Sequence, residues 1–424
     1  MRFFACSAAE RCTRASPGCQ ILDENRDTQM TASSEAQAQI EDTLRGAVEA
    51  GDVPGVVAMA ATAGGPIYEG AFGLRALGAG PAMTLDTVFR IASMTKAITT
   101  VAAMQLVEQG RLSLDGPVPD IDPALARPQV LEGFDASGAP RLRPAKRPIS
   151  LRDLLTHTAG FVYEMWNADA KRYVEATGTP PVLSGRLAAL RRPLAFDPGD
   201  RWEYGINIDW VGQLVEAASG MNLDAYFREH IFGPLGMSDT GFVPSPEQQT
   251  RRASVHQRQP GGGLVVQPLP AVSTPEFFAG GGGLSSTPRD YLAFLRMLLH
   301  GGTLNSARIL RPETVELMNR NHIGDLPAGV MKTQAPALSN DVDFFPGATI
   351  RWGLGYMLNM EAGPNGRSAG TVSWAGLFNS YYWLDPVRHV TGVILTQILP
   401  FADPAVVRLY GQFERCVYAL VDAR

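Results

Sequence analysis

Strand-like segments gather at the two ends of the chain, and that placement limits the possible folds more than any other feature. Near the N-terminal end "GVVAMAAT" and "PIYEGAFG" flank the Gly64-Gly65 turn and read as a β-hairpin. Near the C-terminal end "TVSWAGL", "SYYWLDP" and "HVTGVILTQIL" read as successive antiparallel strands. Between them lie helical segments such as "ISLRDLLTHTAG", "IDWVGQLVEAASG" and "NLDAYFREHIFGPLG", each with apolar residues three and four apart. The expectation is an α/β (α+β) fold, with one antiparallel sheet built from both termini and a mostly helical domain inserted into it. Terminal helices flank that sheet. The first runs from Ser34 along Ile40, Leu44 and Val48 to "GDVPG". The last opens at Asp403-Pro404 and continues through Val407, Tyr410, Phe413 and Val417.

The resulting division assigns residues 30–90 and 280–424 to the α/β domain and residues 91–279 to the helical one, with a cleft where they meet. Prolines at 117, 119, 123, 128, 140, 144 and 148 argue against regular strands in the first part of the insertion. Residues 1–29 lack a periodic apolar pattern and read as an N-terminal extension, either a disordered tail or residues upstream of the true start. Their apolar run is about half the length of a secretory h-region. Three of the four cysteines fall in the first twenty residues, leaving only Cys416 in the body. The expected location is therefore a reducing one, the cytoplasm. No apolar run reaches the ~20 residues of a membrane span, so no membrane partner is expected.

A net charge of -5 gives no electrostatic case for nucleic acid. The one basic run, "RLRPAKRP", holds two prolines and no aromatic residue, and reads as a solvated loop. The histidines are scattered with no metal-ligand spacing, so neither a metal nor a cofactor is implied. Nothing in the sequence reports the oligomeric state.

Chemistry concentrates in "FRIASMTKAIT". Ser93 and Lys96 are three apart at the start of a predicted helix, which puts both side chains on one face. A serine hydroxyl needs a base, and a lysine amine can serve only in its neutral form. Burial, nearby cations and the positive end of a helix all favour that form. The spacing alone is a weak motif. Lysine, however, occurs only at positions 96, 146, 171 and 332 in a chain with 37 basic residues. Arginine cannot give up a proton to act as a base, so a lysine here points to a need for the amine itself.

At this point the sequence resembles the serine β-lactamase and penicillin-binding superfamily, in particular the class C-like branch that includes family VIII carboxylesterases. The resemblance runs from about residue 35 to the C-terminus. Besides the serine segment it rests on "LRDLLTHTAGF", "FDPGDRWEYGINIDWVG", "PLGMSDTGF", "GGGGLSSTPRDYLAFLRMLLHGG" and "SWAGLFNSYYWLDP". It implies that Ser93 is the acylated nucleophile, Lys96 its hydrogen-bonded partner, and Tyr204 the tyrosine that shuttles the proton to the leaving group. It also implies an oxyanion hole formed by the backbone N–H groups of Ser93 and Leu377.

The third family motif is normally lysine, threonine and glycine, and here its place is taken by Trp374-Ala375-Gly376. The family's Tyr-x-Asn element is Tyr204-Gly205-Ile206, with Asn207 one position too late. Both departures replace polar recognition by apolar surface, which suits small to medium neutral esters better than charged β-lactams. Trp374, Gly376 and Ile206 are therefore expected at the substrate, with Asn379 and Tyr381 on the same wall. A strand tryptophan can equally serve only to pack a sheet. The expected activity is that of a serine carboxylesterase acting on a small-molecule ester. Three alternatives stand beside it: a β-lactamase or D-alanyl-D-alanine peptidase, an acyltransferase to a bulky alcohol, and a silent binding module. Retention of Ser93, Lys96 and Tyr204 together argues against the last. His157 reads as a structural histidine. The glycine run 280–283 carries no phosphate-binding pattern and reads as close packing beside the cleft.

Overall fold

The computed structural model describes residues 17–78, 80–268 and 275–424, with side chains from residue 31 onward. Strand β1 (Gly55–Thr62) returns through the glycine turn as β2 (Gly65–Gly73). The C-terminal part supplies β3 (Ile350–Trp352), β4 (Met357–Asn359), β5 (Val372–Gly376), β6 (Ser380–Asp385) and β7 (Val390–Leu395). They form one seven-stranded antiparallel sheet in the order β3-β4-β5-β6-β7-β1-β2. The two ends of the chain join where β1 pairs with β7, from Val57 opposite Leu395 to Thr62 opposite Val390. Strands β5 to β7 are buried on both faces, so their sequences are almost continuously apolar.

One face is covered by the terminal helices, α1 (Pro17–Glu49) and α5 (Pro404–Asp422). The first turn of α5 is held by the Asp403 carboxylate, which accepts from the N–H groups of Ala405 and Val406. Phe413 of α5 packs on Tyr68 and Trp383, while α1 contributes the buried Ile40 and Leu44. The other face meets α4 (Pro288–Leu299), capped by Thr287 with Pro288 at its first position, where Tyr291 packs on Tyr382 of β6. Helix α2 (Thr95–Glu108) is buried nearly all round, and α3 (Asn207–Ser219) lies against it. A helix that is apolar on every side belongs in an interior, and α2 is the element that carries Lys96 there.

Four expectations change. Helix α1 begins at Pro17, so residues 17–29 continue a helix, and of the expected extension residues 1–16 lie outside the described part. The proline-rich stretch contains a hairpin, Gln129–Phe134 against Pro140–Pro144, whose prolines sit at strand ends where a missing N–H costs little. The basic run is not freely solvated. Arg143 and Lys146 pair with Asp197, and Arg147 with Asp153. Strands β3 and β4, too short for a visible alternation, extend the sheet beyond the predicted ones. Among the described residues no helix is long and apolar enough to cross a membrane.

A buried ion pair fixes the far edge of the sheet to α5. Arg367 donates to Glu414 at 2.6 Å, to Asn359 of β4 at 3.0 Å, to Ser373 of β5 at 3.2 Å and to Tyr410 at 3.0 Å. Neither charge is exposed. Glu414→Ala leaves a guanidinium buried without its counter-charge and is expected to destabilise the fold by roughly 3 kcal/mol or more in urea denaturation. Arg388→Ala, at the partly exposed pair with Asp422, is expected to cost under about 1 kcal/mol.

Candidate active site

Ser93 does not open the α-helix. It sits in a single 3₁₀ turn, Ala92–Met94, from which α2 continues. Ala92 has φ +43°, a left-handed conformation that costs a Cβ-bearing residue of order 1–3 kcal/mol and persists only when its surroundings enforce it. Those surroundings are specific. The Ile91 N–H donates to Leu284 O, Leu284 N–H donates to Thr95 Oγ1, and Tyr291 Oη donates to Met94 O. The end of β5 presses on the same turn. A Cβ on Gly376 would lie 2.3 Å from the Ile91 carbonyl, so glycine is required there for close approach. Leu377, the next residue, is partly exposed and follows directly on this contact.

Lys96 is completely buried, yet its amine has three partners. It lies 3.2 Å from Ser93 Oγ, 3.1 Å from Tyr163 Oη and 2.6 Å from the Gly281 carbonyl. The glycine run is what delivers that carbonyl. It threads between α2 and α3, with Thr99 Oγ1 donating to Gly280 O at 2.7 Å, and a Cβ on Gly280 would sit 3.0 Å from both Thr99 and the Ile208 carbonyl. A side chain on Gly280 or Gly281 would press against Thr99, Ile208 or Asp209 and push the run away from the amine.

Tyr204 and Trp374 meet although 170 positions separate them: the indole Nε1–H donates to the Tyr204 hydroxyl oxygen at 2.9 Å. Trp374 is thus a buried strand tryptophan with a polar contact at its tip. The Lys96 amine is 4.8 Å from the centre of the Tyr204 ring and 5.3 Å from that of Tyr163. Around these groups stands an aromatic wall. Trp352 packs on Trp374 with ring centres 4.7 Å apart, and Trp166 packs on Tyr204 at 5.6 Å.

Tyr163 is the residue that sequence reasoning missed. It lies just beyond "THTAGF" with no motif to single it out, and only its 3.1 Å contact with Lys96 marks it. Burial, aided by the charge of Asp209, holds its phenol well above the usual range, so it remains protonated. His157 is buried, with Nδ1 accepting from Asn207 Nδ2 at 3.0 Å and its ring packed on Tyr204. Burial and the nearby Lys96 push its basicity well below the ordinary value, so the ring is neutral. It does not contact Ser93.

Two expected wall residues are corrected. Asn379 is fully buried in a left-handed turn, where Nδ2 donates to the carbonyls of Ile398 and Pro400 and Oδ1 accepts from Tyr381 and Asp403. Its amide is consumed by the backbone. Tyr381 stacks on Tyr410 of α5, on the opposite sheet face from Trp374. Ile206, expected at the substrate, precedes α3 and, like Lys96, has no exposed surface. Among the described residues no cluster of His, Cys, Asp or Glu could hold a metal ion.

A serine bonded to a buried amine, beside a phenol whose oxygen already receives an indole N–H, is equipped to form and discharge an acyl-enzyme. Such a site on this sheet-and-helix framework places the chain in the serine hydrolase and acyltransferase superfamily. The family model described as Beta-lactamase matches residues 40–415, and the chain belongs to that family. It is 32% identical to monacolin J acid methylbutanoyltransferase of Aspergillus terreus over 405 residues, 92% of this chain and 97% of that protein. Lovastatin esterase of Penicillium rubens is 32% identical over 397 residues, 90% of this chain and 98% of that protein. Among solved structures, unliganded simvastatin synthase from Aspergillus terreus has a TM-score of 0.78 at 31% identity, covering 91% of this chain and 98% of that chain.

A fluorophosphonate probe, which reacts with activated serines, is expected to label Ser93. Labelling should vanish in Ser93→Ala and slow by about a hundredfold in Lys96→Met, if the amine supplies general-base catalysis. Mass mapping of the labelled peptide checks the position.

Proposed function

We propose that this protein is a serine carboxylesterase that hydrolyses small to medium neutral carboxylic esters. The observation that carries the proposal is the group facing Tyr204: an indole N–H, where a lysine ammonium would attract a substrate carboxylate. With a neutral, aromatic wall, the site offers dispersion and area burial to an apolar acyl or alcohol group and no counter-charge to an anionic one.

In the proposed reaction the Ser93 hydroxyl proton passes to the Lys96 amine as Oγ attacks the ester carbonyl. The backbone N–H groups of Ser93 and Leu377 receive the oxyanion. Tyr204 hands a proton to the departing alkoxide and is recharged from Lys96. Trp374 donates to the Tyr204 oxygen, where negative charge grows as that proton leaves, so it assists a step in which its lysine counterpart would bind substrate. Water then attacks the acyl group by the same route in reverse.

Acyl transfer to an alcohol is the second reading. It differs only in what enters for the second half-reaction, and the names of the two relatives, one a methylbutanoyltransferase and the other an esterase, favour keeping it. Water and alcohol compete for one intermediate.

Purified protein is expected to turn over p-nitrophenyl butyrate with a kcat/KM at least a hundredfold above that for a chromogenic cephalosporin. The reverse order would overturn the esterase reading. Trp374→Phe keeps the ring packing and removes one donor. It is expected to lower kcat by about tenfold or more with little change in KM, the signature of a contact used in the transition state.

A further inference from the structure

Asp209 is a buried carboxylate beside the lysine that the mechanism does not use. It stands in the first turn of α3 at 1% exposure. Its Oδ1 accepts from the Gly281 N–H at 2.9 Å, and Oδ2 is buried with no hydrogen-bond partner among the described residues. The same Gly281 presents its carbonyl to Lys96 at 2.6 Å. Asp209 and Lys96 therefore hold one residue, by its N–H and by its carbonyl. The grip is close: a Cβ on Gly281 would fall 2.5 Å from Oδ2 and 2.8 Å from the carboxyl carbon. An isolated buried carboxylate is costly, and a full set of hydrogen bonds or a counter-charge is what normally keeps one in place. Here the hydrogen bonds fall short, which leaves the counter-charge.

Resting on the acyl-enzyme reading above, we infer that Asp209 is a positioning residue that acts on Lys96 in two ways: it fixes the Gly281 carbonyl that orients the amine, and it serves as the amine's buried counter-charge. Among the described residues no carboxylate lies within bonding distance of Lys96, so this anion, one glycine away, answers the ammonium formed when the Ser93 proton arrives. The groups that surround the pair are Tyr163, Tyr204 and His157 on the amine side, and Arg192 with its partner Glu164 near the carboxylate. His157 is neutral and Tyr163 protonated, so neither supplies the missing charge. Burial raises the Asp209 carboxyl above its ordinary range, and Lys96, then the Gly281 N–H, then Arg192 oppose that rise.

The test follows the pH dependence of Ser93 labelling by a fluorophosphonate, a readout that does not require the natural ester. Asp209→Asn retains an oxygen for the Gly281 N–H and removes the charge. Without the anion the amine loses its proton more readily, so the acid limb of the labelling profile is expected to move to lower pH by about one unit. The plateau rate is expected to fall severalfold, because the ammonium formed during attack is no longer balanced. Asp209→Ser, smaller and also neutral, is the second variant, and each is scored only if its melting transition shows a folded protein. A profile superimposable on that of the unmodified protein in both variants, or in the one that folds, overturns the inference. Failure of both to fold while Asp209→Glu folds and labels normally supports the need for the charge, and loss of folding in all three would assign Asp209 to stability alone and overturn it. Absence of ester turnover in the unmodified protein would count against the esterase reading and leave this test intact.

Discussion

A lysine amine held dry inside the protein is the constraint around which the rest is arranged. An unsatisfied buried amine is prohibitively costly, so each of its directions must meet an acceptor. Three far-separated pieces of chain supply them: the nucleophile's own turn, Tyr163 beyond "THTAGF", and Gly281 in the glycine run ahead of α4. The fold is thereby committed at the site. Helix α2 must be buried on all sides, positions 280 and 281 must lack side chains, and the Ala92 conformation must be held by Leu284, Tyr291 and Gly376.

Sheet and site are coupled through β5. This strand places Gly376 against the turn that bears Ser93 and Trp374 against Tyr204, so a single element sets both the approach to the nucleophile and the donor to the phenol. Its outer neighbours are anchored to α5 through Arg367 and Glu414. Rigidity at the rim of the sheet supports a site whose contacts must hold within a few tenths of an ångström.

Much of this was legible in the sequence because it has local signatures. The terminal strands, the helix start at Asp403, and the Ser93 and Lys96 spacing all depend on neighbours a few residues apart. What stayed hidden depends on long-range contact. Tyr163 has no motif, and its role exists only through a lysine 67 positions away. Asn379 illustrates the opposite error: an asparagine next to a cleft motif and an asparagine in a left-handed turn are identical on paper, and only the carbonyls of Ile398 and Pro400 decide between them. The hairpin at residues 129–144 was obscured because prolines at strand ends and prolines that break strands look alike until the pairing is known. Trp374 combined both possibilities, packing the sheet while reaching Tyr204.

The central claim is that Ser93, activated by Lys96, carries the acyl group of a neutral ester. Acid-quenching the protein during turnover of p-nitrophenyl butyrate and mapping the modified peptide by mass spectrometry tests it most directly. The account predicts a butyryl increment on the peptide containing Ser93, absent in Ser93→Ala. Turnover with the increment on another residue, or turnover that persists in Ser93→Ala, would contradict it.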